Sequence, residues 1–435
     1  MLRPMNRQRL RRLVASRRAW GRRLVFWGGA VLLGLVAVAF AALSDGAQAL
    51  FRRLVSAFPL APLFLMPFGF AFSAWVTRRF FPGSQGSGIP QTIAARQVRD
   101  AAARGRLLSL RVASGKIVLT LFGLLVGASV GREGPTVQVG AAIMLAAGTA
   151  AGMKRGDGMI LAGGAAGVAA AFNTPLAGIV FAIEELAKEF EHRTSGLVLT
   201  AVILAGLASL AVLGNYSYFG STQAALTDLS SWVAVPVCGV VGGLLGAVFT
   251  VIVVTAARRL PSIAGGIVRR YPLIFAAVCG AAAAAIGAAS GGLVYGTGYA
   301  EARAALEGTV SLPWWYALAK LAATVLAAIS GIPGGIFSPS LSVGAGLGAA
   351  LAWCAPTAPV GVAVLLGMVS YFAGVVQAPI TAFVIVMEMT NNQAMILPLM
   401  AASLIGYGVS RLVSREPIYQ ALSRNFLPSN KPADS

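Results

Sequence analysis

Three acidic residues in an otherwise apolar chain could do chemistry. Glu133 stands in Gly131-Arg132-Glu133-Gly134-Pro135, and Glu184-Glu185 close the apolar run from Leu161 to Leu186. A charged side chain at bilayer depth costs about 2.5–3.5 kcal/mol on insertion scales, so an intramembrane glutamate is by default a group that handles ions or protons. Arg132 beside Glu133 leaves a second reading open, a buried ion pair or a helix cap. The glutamate pair can likewise be read as solvated caps. His192 is the only histidine and reads as a solvated loop or helix-end residue. Cys238, Cys279 and Cys354 lie in apolar runs without metal-ligand spacing and read as small core hydrophobes. No nucleophile–base pair or metal cluster supports an enzyme, and no cofactor is expected.

The element that must position Glu133 is a helix start. Glycines on both sides permit a tight turn with bare amides, and Pro135 suits a first helical turn. The unpaired N–H groups there, with the positive end of the helix dipole, form a ready anion site, so Glu133 would be a tethered anion where a free one could sit. A second such start follows Gly83-Ser84-Gln85-Gly86-Ser87-Gly88-Ile89-Pro90, where Ser87 adds a hydroxyl donor; alone, the loop could be a simple turn.

Sliding the chain 204 residues along itself lays Gly131–Pro135 on Gly335-Ile336-Phe337-Ser338-Pro339. Val139-Gly140-Ala141 then meets Val343-Gly344-Ala345, Lys116 meets Lys320, Thr120 meets Thr324, Pro175 meets Pro379 and Glu184 meets Glu388. Two homologous halves follow, an arrangement that in transporters places the site between the repeats. Glu133 is matched by Phe337 and Glu185 by Met389, so one half carries the titratable groups. On this ground Glu184 is assigned a structural role and Glu185 a proton role.

Of 435 residues, 57% are hydrophobic and 11% charged, with mean hydropathy +0.79, which describes an integral membrane protein. The net charge of +20 is not a nucleic-acid signal. Nine arginines between Arg3 and Arg23 precede the apolar run Leu24 to Leu43, which by the positive-inside rule puts the N-terminus in the cytoplasm. Further apolar runs cover 59–76, 196–214, 232–257, 272–297, 313–330 and 394–412, whereas residues 94–116, with five arginines and Lys116, read as a cytoplasmic connection. The middle of the chain, 196–330, shows no chemistry of its own. Tyr419 could be an interfacial anchor.

Together, Gly86–Pro90, Gly131–Pro135, Gly335–Pro339, Ala170–Gly178 and Tyr419 resemble, in order, the signature of the CLC family of chloride channels and chloride/proton antiporters; the likeness covers roughly residues 20–425. It implies an all-α membrane protein of two inverted-topology repeats with broken, tilted helices, assembled as a homodimer in the cell inner membrane with both termini cytoplasmic. The expected organisation is a basic segment 1–23, a transmembrane domain 24–425 with repeat halves near 24–215 and 230–413, and a tail 426–435. Chloride would be held by the hydroxyls of Ser87 and Tyr419 and the amides of Ile336 and Phe337. An outer site would use amides of the Gly131–Gly134 segment, Arg132 and Gly134 among them. Glu133 would be the external gate and proton acceptor. Antiporters of the family carry a glutamate at the position of Glu185 for internal proton transfer and passive channels usually lack it, so antiport is expected, with a voltage- or pH-gated channel as the alternative. Retention of Ser87 and Tyr419 points to chloride rather than fluoride. Gln91, Thr92 and Ile93 stand where acidic residues are common in the family and leave the internal proton route open. Regulatory nucleotide-binding domains are not expected, so transport in liposomes should not respond to ATP; a clear nucleotide dependence would overturn that.

Overall fold

A computed structural model describes residues 17–153, 156–188, 195–214, 217–220, 222–226, 228–260, 266–354 and 356–427. His192, the first 16 residues of the basic segment and the tail from 428 lie outside them. Helices account for every named element, and two isolated backbone bridges replace any sheet among the described residues.

The first half runs through α1 (Arg17–Ala57), α2 (Ala61–Phe80), α3 (Ile89–Gln97), α4 (Ala101–Leu107), α5 (Leu110–Leu125), α6 (Glu133–Ala150), α7 (Gly156–Phe172), α8 (Pro175–Phe181, prolonged by a π-helical turn Ala182–Ala187) and α9 (Ser195–Leu213). The second comprises α10 (Ala234–Arg259), α11 (Ile267–Arg270), α12 (Pro272–Ala289), α13 (Tyr299–Leu306), α14 (Tyr316–Ile329), α15 (Phe337–Ala350), α16 (Val360–Val376), α17 (Pro379–Thr390), α18 (Ile396–Val413) and α19 (Ile418–Ser423). Six helical segments are long and apolar enough to cross a membrane, while α7, α14, α16 and α17 are apolar but shorter. The short ones are the core: α7 from Gly158 and α16 from Gly361 are buried throughout, packed on α6 and α15. Non-spanning helices are tolerated at membrane depth only inside protein, and here they are sheathed by the long ones.

The repeat read from sequence is structural. Helices α7 and α16 begin and end 204 residues apart, as do the starts of α6 and α15 and of α8 and α17. In both halves the apolar run breaks at the same place. Asn173 (φ 55°) and Gln377 (φ 54°) adopt the left-handed conformation, and a proline two residues later starts the next helix. Across the pseudo-two-fold the halves cap each other. The Glu388 carboxylate accepts from the amides of Leu176 (3.1 Å) and Ala177 (2.7 Å), and that of Glu184 accepts from Ile380 (3.1 Å) and Thr381 (2.6 Å). Each glutamate satisfies the free N–H groups of a helix start in the other half. The structural role expected of Glu184 is therefore observed.

Three expectations need correction. Residues 94–116 are not a plain connection: α4 and α5 occupy most of them, and Lys116 is fully buried. The run 272–297 is helical only to Ala289 and then turns through Gly291, Gly292 and Gly296, each with positive φ. The middle of the chain is not without chemistry, since it supplies a hydroxyl to Glu133, described below. The cysteines are free and buried as expected.

Replacing Glu184 or Glu388 with alanine leaves two helix-start amides unpaired. We expect each substitution to destabilise the fold by about 1–2 kcal/mol, read as a lower unfolding temperature in detergent; an unchanged transition in both would show that the exchanged caps are dispensable.

Candidate functional site

Helix starts from both halves converge at the centre. The Gly131 amide donates to Gly335 O (2.6 Å) and the Gly335 amide to Gly131 O (2.7 Å), while Gly86 N reaches Ile332 O (3.0 Å) and Gly334 N reaches Gly86 O (3.0 Å). These exchanges bring the N-termini of α3, α6 and α15 together. The Gly131 amide is spent in doing so, which leaves those of Arg132, Glu133 and Gly134 at the start of α6 and those of Ile336 and Phe337 at the start of α15. Gly134 cannot be replaced, because a Cβ there would collide with the hydroxyl of Ser87.

Two buried lysines set the loops leading into this centre. Lys116 Nζ donates to Gly86 O (2.7 Å) and Gln85 O (3.4 Å), and Lys320 Nζ donates to Gly296 O (2.7 Å) and Val294 O (2.9 Å). Gly86-Ser87-Gly88 before α3 thus corresponds to Gly296-Thr297-Gly298 before α13. The offset here is 210, not 204, because six extra residues lie between the first loop and its lysine. The paired loops end differently. Thr297 donates its amide (3.0 Å) and its hydroxyl (2.8 Å) to Gln48 Oε1. The Ser87 hydroxyl, buried, meets no protein acceptor or donor in hydrogen-bond geometry. It neighbours the Tyr419 hydroxyl, which is fully buried and likewise without such a partner. A buried hydroxyl normally finds a partner. Two side by side, facing bare helix starts, are what an anion needs. A cavity of about 250 Å³ lined by Ser87, Ile336, Arg78 and Phe426 among others leads to Ser87. Gln91 also lines this cavity, and its side chain accepts from Gly88 N and donates to Gly83 O and Gln85 O, holding the loop.

Glu133 is 1% exposed. Its Oε2 lies over Gly131, where a Cβ would collide with it, and that same point is 3.3 Å from the Ser338 amide nitrogen. The carboxylate therefore occupies the gap between the starts of α6 and α15. Its Oε1 accepts from the Tyr218 hydroxyl (3.3 Å), and its Oε2 has no hydrogen-bond partner in protein. The alternative of an Arg132–Glu133 ion pair is not realised. Arg132 turns to α1 and donates to Ala41 O and Asp45 Oδ1, both at 2.7 Å, with its guanidinium 5.9 Å from the centre of the Tyr218 ring. Its Nη1 is committed to α1, while its Nε, buried, has no hydrogen-bond partner. Phe337, the repeat mate of Glu133, packs its ring at a tilt against those of Phe372 (centroids 4.2 Å apart) and Phe172 (4.8 Å) and walls the site with apolar surface.

Glu185 sits in the π-helical turn, 2% exposed, with Oε1 unpartnered and its backbone carbonyl accepting from Gln420 (3.2 Å). It borders a different cavity, of about 900 Å³, lined by Lys188, Gln377, Arg411 and Gln420 among others. Tyr419 is close enough to both Glu133 and Glu185 to feel the charge of each. Its helix is fixed by Glu416, bound to Arg258 (3.0 Å) and Arg424 (2.9 Å). Those guanidiniums, Arg258 first, hold the Glu416 carboxyl below the usual carboxylate range.

Of the eight residues singled out from sequence, Ser87, Arg132, Glu133, Gly134, Ile336, Phe337 and Tyr419 lie at this centre, whereas Glu185 borders the other cavity. Sequence reading missed Tyr218, Asp45, Gln48 and Thr297. Asp45 alone carried a signal, as an acid closing the first apolar run; the glycines around Thr297 became informative only once the offset change was known.

The sequence model of the voltage gated chloride channel family matches residues 68–411. The chain is 33% identical over 365 residues to an H(+)/Cl(-) exchange transporter ClcA of Cronobacter sakazakii, covering 80% of this chain and 76% of that protein. It is 30% identical over 433 residues to the protein of the same name from Yersinia pestis, covering 93% and 87%. Among solved structures, a slow cyanobacterial Cl-/H+ antiporter superposes with a TM-score of 0.80 at 23% identity, over 94% of this chain and 98% of that one. A CLC-type fluoride/proton antiporter superposes at 0.79 and 23%, over 96% and 99%. With the repeat, the broken helices and the converging helix starts, these likenesses make the chain a member of the CLC family of voltage gated chloride channels and transporters.

Proposed function

We propose that this protein exchanges chloride for protons across a membrane. The reading rests on one observation above the others: the glutamate between the helix starts occupies an anion's place, and two different cavities lead to the unpartnered Ser87 hydroxyl and to Glu185. Chloride has a route that ends on hydroxyls and amides, and the proton has one that ends on a carboxylate. The relatives named as H(+)/Cl(-) exchange transporters support the same reading.

In this mechanism chloride binds to Ser87, Tyr419 and the amides of Ile336 and Phe337. Ionised Glu133 closes the path beyond it, lodged in the gap between the starts of α6 and α15. Chloride in the centre disfavours a nearby ionised carboxylate, and a proton taken up by Glu133 removes the charge that competes with chloride, so the two ions are linked. Glu185 exchanges protons with its own cavity and passes them past Phe337 and Tyr419 toward Glu133. The basic helix ends at Arg78-Arg79 and Arg258-Arg259 and the arginine-rich N-terminus favour cytoplasmic termini in the cell inner membrane. Assembly as a homodimer completes the proposal.

The test uses purified protein in sealed liposomes with an outward chloride gradient, no proton gradient and valinomycin to fix the voltage. Proton movement opposite to chloride, persisting against an imposed proton gradient, is expected; chloride flux alone would make the protein a passive channel. Glu133→Gln should keep chloride movement and abolish proton movement, and proton pumping by that variant would refute the gate. Glu185→Val should likewise uncouple chloride from protons, with unchanged stoichiometry moving the proton role elsewhere. Ser87→Ala combined with Tyr419→Ala removes both hydroxyls, and we expect chloride affinity, read by calorimetry, to fall about tenfold or more; wild-type affinity would count against the central site.

A further inference from the structure

Tyr218 is not among the residues that sequence or the likeness to CLC proteins brings forward, yet it makes the one side-chain hydrogen bond to Glu133 found among the described residues. It lies in a turn within the connection between α9 and α10 and is 4% exposed. Four elements fix it. The Tyr299 hydroxyl of α13 donates to its backbone carbonyl at 2.6 Å, and the neighbouring Phe219 amide donates to Met389 O of α17 at 2.8 Å. Its ring meets those of Phe172 (5.4 Å) from α7 and Tyr299 (4.8 Å), and the Arg132 guanidinium at the start of α6 faces it. A phenol held on so many sides cannot follow a carboxylate that moves.

The direction of its effect follows from hydrogen-bond chemistry. A phenol donates more strongly to a carboxylate than to a neutral carboxylic acid, because a charged acceptor roughly doubles the bond. The bond therefore favours ionised Glu133 in its seat over both the protonated and the displaced forms. The other charged or titratable groups facing Glu133 are Arg132 at its helix start, Asp45 of α1 behind that arginine, and Tyr419 of α19 on the side of Ser87. Of these, Tyr218 alone donates to the carboxylate through its side chain.

We infer that Tyr218 is a positioning residue that latches the ionised gate shut, setting how acidic the medium must be for Glu133 to release and how seldom it opens without a proton. The inference rests on Glu133 being the gate. Removing the hydroxyl weakens the ionised, seated state, so the proton competes successfully at higher pH and the closed state leaks.

The experiment compares wild type, Tyr218→Phe, Tyr299→Phe, Glu133→Gln and the double variant Glu133→Gln/Tyr218→Phe in chloride-loaded liposomes, with efflux measured across external pH 4.5–8 (a range of about four decades in proton activity) and proton movement followed alongside. For Tyr218→Phe we expect efflux at neutral pH to rise by about tenfold, as loss of one hydrogen bond to a charged group would give, with the acid-stimulated rise displaced to higher pH and fewer protons moved per chloride. Tyr299→Phe, which frees the Tyr218 backbone, should shift the profile the same way by less. In the Glu133→Gln background, Tyr218→Phe should change nothing further. An unaltered profile in folded Tyr218→Phe, or an equal change with and without the Glu133 carboxylate, overturns the latch. If Glu133→Gln itself retains the wild-type pH dependence, the gate assignment fails, whatever Tyr218 does.

Discussion

The structure depends on a single constraint: polar backbone inside an apolar medium must find its partners within the protein. A helix that stops at membrane depth exposes four unpaired amides, and this chain stops many. It answers with exchange between its two halves. Gly131 and Gly335 trade amides and carbonyls, and Glu184 and Glu388 cap each other's partner helices. Since each exchange needs both halves in register, the fold that satisfies the backbone is the fold that brings the helix starts together.

What those exchanges leave unspent is the site. The amides of Gly131 and Gly335 are consumed, whereas those further into α6 and α15 are not, and the side chains offered to them differ between halves. In the first half the start of α6 carries its own anion, Glu133. In the second, the same position is Phe337, which closes the space with a ring. The contrast between Ser87 and Thr297 has the same logic. Both hydroxyls head loops clamped by a buried lysine, but Gln48 satisfies Thr297 while nothing in the protein satisfies Ser87. A duplicated fold has satisfied one copy of each device within the protein, and under the proposed function the other is what meets an ion.

Charge placement follows the same division. Lys116 and Lys320, fully buried, are absorbed by backbone carbonyls, and Arg132 by Asp45 and Ala41. None of these three side chains hydrogen-bonds the Glu133 carboxylate. That leaves the carboxylate held at Oε1 by one phenol.

The sequence by itself determined the membrane class, the repeat, the three helix starts and the structural role of Glu184. All are carried by local composition or by residues at one constant offset, and such signals survive in one dimension. The tertiary structure alone decided what crosses between elements. Arg132 is adjacent to Glu133 in sequence but pairs with Asp45, 87 residues away, because its side chain points outward from the helix start. Tyr218 reaches Glu133 from a stretch with no motif, and Lys116 lies buried in what read as a basic connection. The equivalence of Ser87 and Thr297 was hidden by six inserted residues that shift the offset. Chain order records which residues are neighbours along a helix; which groups remain unpaired once two halves interlock is a property of the packed whole, and it is those unpaired groups that would meet the ion.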